Sequence, residues 1–175
     1  MTVKEAITIR CSVRAYTDEA LTAEELNAIL EAGLKAPTAA NRQELHFSVL
    51  KGNDPLVQEI EDEKNRLASG ATPPHNFCYE APTVVIISGD KSFGWTALDA
   101  GIAVENMALM AEELGLGNLI IGCIKNALYG EKESYFAEKL AFPEGYGYPI
   151  AFAVGHWKQR KEPHTYDAAK QVSIL

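Results

Sequence analysis

The stretch Ala36-Pro37-Thr38-Ala39-Ala40-Asn41-Arg42-Gln43 lies between an amphipathic helical pattern and a strand-like segment at 46–50. Pro37 ends the helix, because its ring clashes with the preceding turn and it lacks an N–H group. Small side chains here let another molecule approach the backbone, and Asn41 and Gln43 add amide donors and acceptors. Alone, the stretch could also be only a loop. Its position between a helix and a strand predicts a mixed helix-and-strand fold.

A basic cluster lies upstream of this stretch, at Arg10, Ser12 and Arg14. On an extended segment, alternate residues point to the same side. Two guanidinium groups and a hydroxyl on one side would suit a phosphate or a negatively polarised ring edge. A solvated basic stretch is the alternative, and a solvated terminus is the corresponding alternative for Lys158-Gln159-Arg160-Lys161. Together with Ala36–Gln43, the cluster predicts a site for a flat, polar-edged cofactor that carries a phosphate.

Apolar periodicity and capping signals predict alternating helices and strands along the chain. Thr22 and Glu25 form a capping box, and Asp54-Pro55 starts a helix whose break is expected over Gly70–Pro74. Besides Val3–Ile9, Gly94–Leu114 and Glu131–Leu140, one predicted helix runs from the Thr22 cap through Leu34 to its end at Pro37, and another runs from Asp54-Pro55 through Leu67 to the break at Gly70–Pro74. The predicted strands cover His46–Lys51, Thr83–Ser88, Leu119–Ile121 and Ile150–Val154. The alternation predicts an α+β or α/β fold with one central sheet, in a single domain over residues 1–175.

The predicted helix Gly94–Leu114 is apolar nearly all round, which is typical of a helix buried on more than one side. In a chain of this size, a second subunit could complete that burial. The following Gly115-Leu116-Gly117 lacks the third glycine of a dinucleotide-binding fingerprint, where Ile120 stands, and it precedes a strand. The glycines are therefore expected to close the helix.

Composition excludes several classes of protein. The chain has 175 residues with a formal net charge of -8, which disfavours a non-specific nucleic-acid binder. Cys11, Cys78 and Cys123 are far apart and indicate reduced thiols, and the four histidines show no metal-ligand spacing, so no metal is expected. Without a long apolar run or a signal-peptide pattern, the sequence predicts a cytoplasmic protein with no membrane span.

Taken together, these features resemble the nitroreductase family, flavoproteins that bind FMN and reduce nitro groups, quinones and related acceptors with NAD(P)H. The resemblance covers nearly the full length. Its motifs are basic-x-Ser-x-basic at Arg10–Arg14, Ala-Pro-small-small-x-Asn-x-Gln at Ala36–Gln43, Asp-x-Gly at Asp99–Gly101, a Gly-Leu-Gly turn and strand at Gly115–Cys123, and a basic pair at Lys158 and Arg160.

The resemblance implies a role for each matching residue. Arg10, Ser12 and Arg14, with Cys11 between them, would contact the FMN phosphate, ribityl chain or pyrimidine edge, and Lys158 and Arg160 would complete the phosphate site. Pro37, Thr38, Ala39 and Asn41 would contact the flavin from the partner subunit, while Ile121, Gly122 and Cys123 would lie beside the central ring and offer a backbone amide near N5.

The resemblance also implies a three-layer α/β/α fold around a mixed or antiparallel sheet, and an obligate homodimer with FMN at the subunit interface. Hydride would pass from NAD(P)H through flavin N5 to a small-molecule acceptor by ping-pong kinetics. No side chain would act as nucleophile or general base. Arg14 would stabilise the negative charge of the reduced flavin near N1 and O2, and Cys123 would serve as a backbone contact instead of a redox thiol.

The chain departs from the family pattern in two places. The family usually has Pro-Trp after the glutamine, whereas this chain has Glu44-Leu45, and the chain is short for the family, without a longer excursion that often covers the substrate pocket. His75–Tyr79 could line that pocket. Two alternatives stay open: a related flavoenzyme that performs dehalogenation, enone reduction or flavin destruction, and a non-enzymatic flavin-binding protein.

Overall fold

The computed structural model describes residues 1–68 and 75–174. Within these residues the helices are α1 (Val3–Ile9), α2 (Ala23–Leu34), α3 (Pro55–Leu67), α4 (Thr96–Glu113), α5 (Lys125–Leu128), α6 (Glu133–Lys139) and α7 (Ala168–Gln171), and the strands are β1 (His46–Lys51), β2 (Thr83–Asp90), β3 (Gly117–Ile121) and β4 (Tyr146–Gly155). All the predicted helices and strands are present, with ends shifted by a few residues. The predicted break at Gly70–Pro74 lies outside the described residues.

The four strands form one antiparallel sheet in the order β1-β2-β4-β3. Val85 of β2 lies opposite Val49 of β1 on one side and opposite Phe152 of β4 on the other. Because β2 is a central strand, its residues Thr83–Gly89 are all buried, as their β-branched composition predicts. The sheet is therefore the antiparallel form of the two that the resemblance allowed.

Helices cover both faces of this sheet, which gives the expected three layers. Val84 and Ile86 of β2 belong to an apolar cluster with residues of α3, α5 and α6. Val85 and Ile87 point to the opposite face and pack with α2 and α4. The alternation along one strand thus separates two cores, and α4 lies between the sheet and α2.

The end of α4 is closed by its glycine, as the sequence favoured. Gly115 has a φ of +74°, which an L side chain rarely adopts. The Leu116 amide donates to the Ala111 carbonyl at 2.8 Å, and the Gly115 amide donates to the Glu112 carbonyl at 3.0 Å. These two hydrogen bonds form a Schellman motif, which turns the chain directly into β3.

Within one chain, α4 packs against the sheet, α2 and α1, so it is buried on more than one side, as its composition predicts. The buried residues are Thr96, Asp99, Ala100, Ala103, Val104, Met107, Ala108, Ala111 and Glu112. The remaining surface includes Leu98, which is 55% exposed, and the half-buried Ile102 and Leu109. Among the described residues, no helix combines the length and the apolar character that a membrane crossing requires.

Candidate functional site

The predicted basic segment is extended, and its side chains alternate in burial. Cys11 and Val13 are buried in the core, whereas Arg10 and Ser12 are half-buried and Arg14 is exposed. This alternation is typical of an extended segment and supports the expected placement of Arg10, Ser12 and Arg14 on one side.

Backbone pairing fixes this segment against the sheet and the C-terminal region. Ser12 forms an isolated parallel bridge with Asn118 of β3, and the Val13 amide donates to the Asn118 carbonyl at 2.8 Å. The Lys158 amide donates to the Ala15 carbonyl at 2.8 Å. We call Arg10–Arg14 together with Lys158 the basic edge. It follows the outer side of β3, and its shape depends on main-chain hydrogen bonds within one chain.

A glycine allows this close approach. A Cβ atom on Gly117 would lie 2.9 Å from both Cγ atoms of Val13 and 3.0 Å from the Cβ atom of Trp157. Any side chain at position 117 would therefore push the basic edge away from β3.

Arg160 has a partner that the sequence did not predict. Its Nη2 atom donates to Glu112 Oε2 at 2.6 Å and to the Ile9 carbonyl at 3.0 Å, and it lies 3.8 Å from the Cys11 sulfur. The Glu112 side chain is fully buried, and Asn118 Nδ2 donates to its other oxygen at 3.1 Å. Arg160 therefore connects the C-terminal region to α4 directly behind the basic edge. The sequence signal for this ion pair was Glu112 itself, a charged residue near the end of an apolar helix.

Arg14 extends towards the loop before β2. Its guanidinium carbon lies 5.6 Å from the centre of the Tyr79 ring, which is within cation–π distance. Tyr79 and Glu80 have φ values of 54° and 56°, and the Asn76 side chain accepts hydrogen bonds from the Glu80 and Cys78 amides. The predicted pocket-lining segment is thus a constrained turn whose aromatic ring contacts the basic edge.

The end of β3 is held by a hydrogen bond from the core, and the residues that follow it are exposed to solvent. The buried Tyr148 hydroxyl donates to the Ile121 carbonyl at 2.6 Å, while Gly122 and Cys123 are exposed. Partial burial of its thiol raises the pKa of Cys123, which disfavours the reactive thiolate. This favours the predicted use of Cys123 as a backbone contact.

The second predicted segment forms a short 3-10 turn after α2. Ala40, Asn41 and Gln43 have φ values of 54°, 53° and 52°, a region that residues other than glycine rarely adopt. Both carboxylate oxygens of Asp99 accept from the Ala39 amide, at 3.1 and 3.0 Å. The Asp-x-Gly motif of α4 therefore has a physical role, because its aspartate holds the turn.

Further contacts restrain the same turn. The Thr38 hydroxyl accepts from the Gln43 amide at 2.9 Å. Arg42 donates to Asp90 at 3.0 Å, and its guanidinium carbon lies 4.2 Å from the centre of the Phe93 ring. The Pro37–Gln43 turn is thus held on both sides, and Pro37 and Asn41 are exposed at its surface.

Within one chain, the turn and the basic edge are separate. Over residues 1–68 and 75–174, no hydrogen bond joins Pro37–Gln43 to Arg10–Arg14 or to Lys158–Arg160. A groove of about 700 Å³ opens beside β1, lined by residues that include Asp18, Leu26 and Pro82. It contains Asn76 of the predicted pocket-lining segment but none of the predicted cofactor-binding residues. A single chain therefore presents two parts of a candidate site.

Comparisons with known proteins identify relatives of this chain. The sequence model described as "Nitroreductase family" matches residues 7–156. A protein named FMN reductase [NAD(P)H] from Bacillus subtilis (strain 168) is 29% identical over 173 residues, covering 88% of this chain and 65% of the relative. The chain thus spans about two thirds of that relative's length.

Solved structures with the same fold include two with bound FMN. A nitroreductase with bound FMN from Desulfitobacterium hafniense DCB-2 superposes with a TM-score of 0.89 at 30% identity, over 100% of this chain and 99% of the other. A nitroreductase with bound FMN from Bacteroides fragilis NCTC 9343 gives a TM-score of 0.89 at 28% identity over the same shares.

Proposed function

The chain belongs to the nitroreductase family, and from this premise we propose that it is an FMN-dependent NAD(P)H oxidoreductase. The observation that carries the proposal is the basic edge, where Arg10, Ser12 and Arg14 share one side and backbone pairing brings Lys158 alongside. The FMN phosphate is a dianion, and guanidinium and ammonium groups are its natural partners. The name of the Bacillus relative and the FMN bound in the two solved structures support the same cofactor.

The residues fit FMN along the length of β3. Arg10, Ser12 and Lys158 would hold the phosphate and the ribityl chain, because they lie along the outer side of the strand. Arg14 would place a cation at the pyrimidine edge, where its contact with Tyr79 restricts its position. Ile121, Gly122 and Cys123 would offer backbone contacts to the ring, since this end of the strand is open.

Bound FMN would supply the redox chemistry, accepting hydride from NAD(P)H and passing it to a nitroaromatic, a quinone or a similar acceptor in a ping-pong cycle. The protein's task is to bind, orient and tune the cofactor. Arg14 would provide positive charge to stabilise the reduced ring. No nucleophilic or general-base side chain is needed, and the raised pKa of Cys123 agrees with this.

A homodimer is part of the proposal, and it would bring the Pro37–Gln43 turn of one chain to the basic edge of the other. Leu98 and Trp95 at the start of α4 are 55% and 56% exposed, and a groove of about 400 Å³ between α1, α2 and α4 includes Leu109 and Met110. In the tail, Ile174 is 96% exposed. A second copy would remove these apolar surfaces from water, as in obligate interfaces.

The first test is the visible absorption spectrum of the purified protein, recorded with and without NADH or NADPH under argon. Flavin absorption that bleaches rapidly with one nucleotide is expected for a cytoplasmic flavin oxidoreductase. A flavin that stays oxidised with both nucleotides would indicate a non-enzymatic flavin-binding protein. A colourless protein that takes up no added FMN would contradict the proposal.

Two further measurements extend this test. Assays of the nucleotide-reduced protein with nitroaromatic, quinone, organohalide and enone acceptors would separate the related reaction classes. Dilution of the holoprotein tests the shared site, because dissociation of the dimer should release FMN. A monomer that keeps stoichiometric FMN would contradict the dimeric arrangement while leaving flavin binding intact.

A further inference from the structure

Among residues 1–68 and 75–174, Glu44 is a buried carboxyl group to which no hydrogen-bond donor is offered. The residue directly follows the Pro37–Gln43 turn, it is 6% exposed, and neither of its carboxyl oxygens has a hydrogen-bond partner among the described residues. A charged carboxylate in such surroundings is strongly disfavoured unless it is paired with a cation or takes up a proton. The protonation state of Glu44 therefore matters for the conformation of the adjoining turn.

The groups that face Glu44 do not neutralise it. Asp99 of α4, 2% exposed, is a second carboxyl group, and Arg42 of the turn is the neighbouring cation. Arg42 is directed elsewhere, since it stacks on Phe93 and pairs with Asp90 at the end of β2. Burial raises the pKa of Glu44 above its ordinary value, and the nearby Asp99 carboxyl raises the pKa further, while the Glu44 backbone amide and Arg42 oppose the shift.

Asp99 is also the residue that holds the turn. Its oxygens accept from the Ala39 amide, next to three residues with positive φ: Ala40, Asn41 and Gln43. Backbone of this kind persists only where its surroundings determine it. A carboxylic acid at Glu44 would donate to Asp99 and fix it towards Ala39, whereas a second carboxylate would repel Asp99.

We propose that Glu44 is a positioning residue, and that its carboxylic acid shares one proton with Asp99 and thereby holds the Pro37–Gln43 turn in its flavin-contacting conformation. This inference rests on the proposed function. It concerns the position where the family usually has proline, so the device belongs to this chain and not to the general pattern.

The sign of the pH dependence follows from the shift. The pKa of Glu44 in the folded protein lies above its ordinary value of 4.5, so the contribution of the shared proton is complete below that value. It is lost as the pH rises through the folded-state pKa. FMN affinity and the stability of the turn should therefore decrease towards alkaline pH.

The experiment compares the wild type with Glu44→Gln between pH 5 and pH 9, using FMN titration of the apoprotein and urea unfolding without FMN. The side-chain amide that this substitution introduces can donate to Asp99 at every pH. We expect the FMN dissociation constant of the wild type to rise about tenfold per pH unit above the folded-state pKa of Glu44, because one proton is released. The profile of Glu44→Gln should be flat over the same range.

Two further variants complete the design. Glu144→Gln removes an exposed carboxylate before β4 and should keep the wild-type pH profile. Asp99→Asn changes the other member of the Glu44–Asp99 pair. Its side-chain amide can donate to an ionised Glu44 and accept from the Ala39 amide, so this variant should also flatten the pH profile. It serves as the test if Glu44→Gln does not fold.

The outcomes separate this inference from the proposed function. If FMN binds and Glu44→Gln keeps the slope of the wild type, the proton sharing is wrong and the function stands. If no form binds FMN, the function fails, and the unfolding profiles still test the pair. Glu44→Gln could also flatten the pH profile of the unfolding free energy and yet keep the wild-type pH profile of the FMN dissociation constant. That result would contradict the positioning role.

Discussion

The two ends of α4 each carry a buried acidic residue, but they neutralise it differently. Glu112, in the last turn, pairs with Arg160 at 2.6 Å and supports the basic edge. Asp99, in the first turn, accepts from the Ala39 amide and supports the Pro37–Gln43 turn, and over residues 1–68 and 75–174 no salt bridge joins it to a cation. One helix thus positions both parts of the candidate site.

The helix dipole explains why the two ends differ. The positive end of the dipole lies near Asp99 and stabilises its carboxylate, whereas the negative end lies near Glu112 and destabilises that charge. A buried carboxylate at the C-terminal end therefore requires a cation, which Arg160 provides. Burial alone therefore does not determine whether a carboxylate is stable, because its partners and its place on the helix also contribute.

The largest effect is expected at the cation-paired end, for Arg160→Met. The change leaves Glu112 buried and charged beside the negative end of the helix, with Asn118 as its remaining donor. We expect a loss of about 3 kcal/mol in unfolding free energy, measured by urea denaturation at pH 7. The double variant Arg160→Met/Glu112→Gln is the control and should recover most of the loss. A single variant as stable as the wild type would show that the pair does not anchor the basic edge.

A smaller effect, on binding more than on folding, is expected for Arg14→Ala. Arg14 is exposed, so its loss should change the unfolding free energy by less than about 1 kcal/mol, mainly through the contact with Tyr79. Loss of a charged hydrogen-bonding partner should weaken FMN binding by about 2 kcal/mol, or roughly thirtyfold. Fluorescence titration measures this, with Lys161→Ala as a matched exposed control. Equal FMN affinities for Arg14→Ala and Lys161→Ala would show that Arg14 does not contribute to FMN binding.

A third buried glutamate extends the comparison to acid pH. Glu63 has no exposed side-chain surface and pairs with Arg66 and Lys132. Its hydrogen bond with Arg66, together with that from Lys132, lowers its pKa to about 2 against the opposing effect of burial. Its stabilisation is complete above the ordinary value of 4.5 and is lost as the pH falls through about 2, the opposite direction to Glu44.

Glu63→Gln should therefore reduce the unfolding free energy by about 2 kcal/mol at neutral pH and make little difference near pH 2. Urea denaturation of the wild type and Glu63→Gln from pH 2 to pH 7 measures the loss at neutral pH and its disappearance near pH 2. Glu144→Gln is again the control, because its carboxylate is exposed. A difference between wild type and Glu63→Gln that does not change with pH would mean that packing, and not the charge, accounts for the loss.

The sequence predicted those features that depend on local chemistry. The capping box of Thr22 and Glu25 and the β-branched run of β2 located their elements because caps and strand preferences act over a few residues. The alternation of Arg10, Ser12 and Arg14 also followed from the geometry of an extended chain. Each of these signals is contained within one short segment.

The pairings across the chain could not be predicted in this way. The contacts of Arg160 with Glu112 and of Asp99 with Ala39 form only because the tail and the turn pack against α4. The burial of Glu44 is likewise a property of the folded chain. Family resemblance marked the positions of Asp99 and Arg160 without giving their partners. At Glu44, the departure from the family pattern was visible, but its burial beside a second carboxyl group was not.

The smallest effect is expected for Thr38→Val, which removes the hydroxyl that accepts from the Gln43 amide at 2.9 Å. The loss should be about 1 kcal/mol in unfolding free energy, since Gln43 is exposed and water can replace part of the hydrogen bond. Unlike the effect of Glu44→Gln, it should not vary with pH, because no ionisable group is changed. The double variant Thr38→Val/Glu44→Gln should be additive within about 0.5 kcal/mol, as for independent contributions. Strong coupling between the two substitutions would mean that the hydroxyl and the shared proton hold the turn as one unit. Thr165→Val, at an exposed tail position, is the control for Thr38→Val.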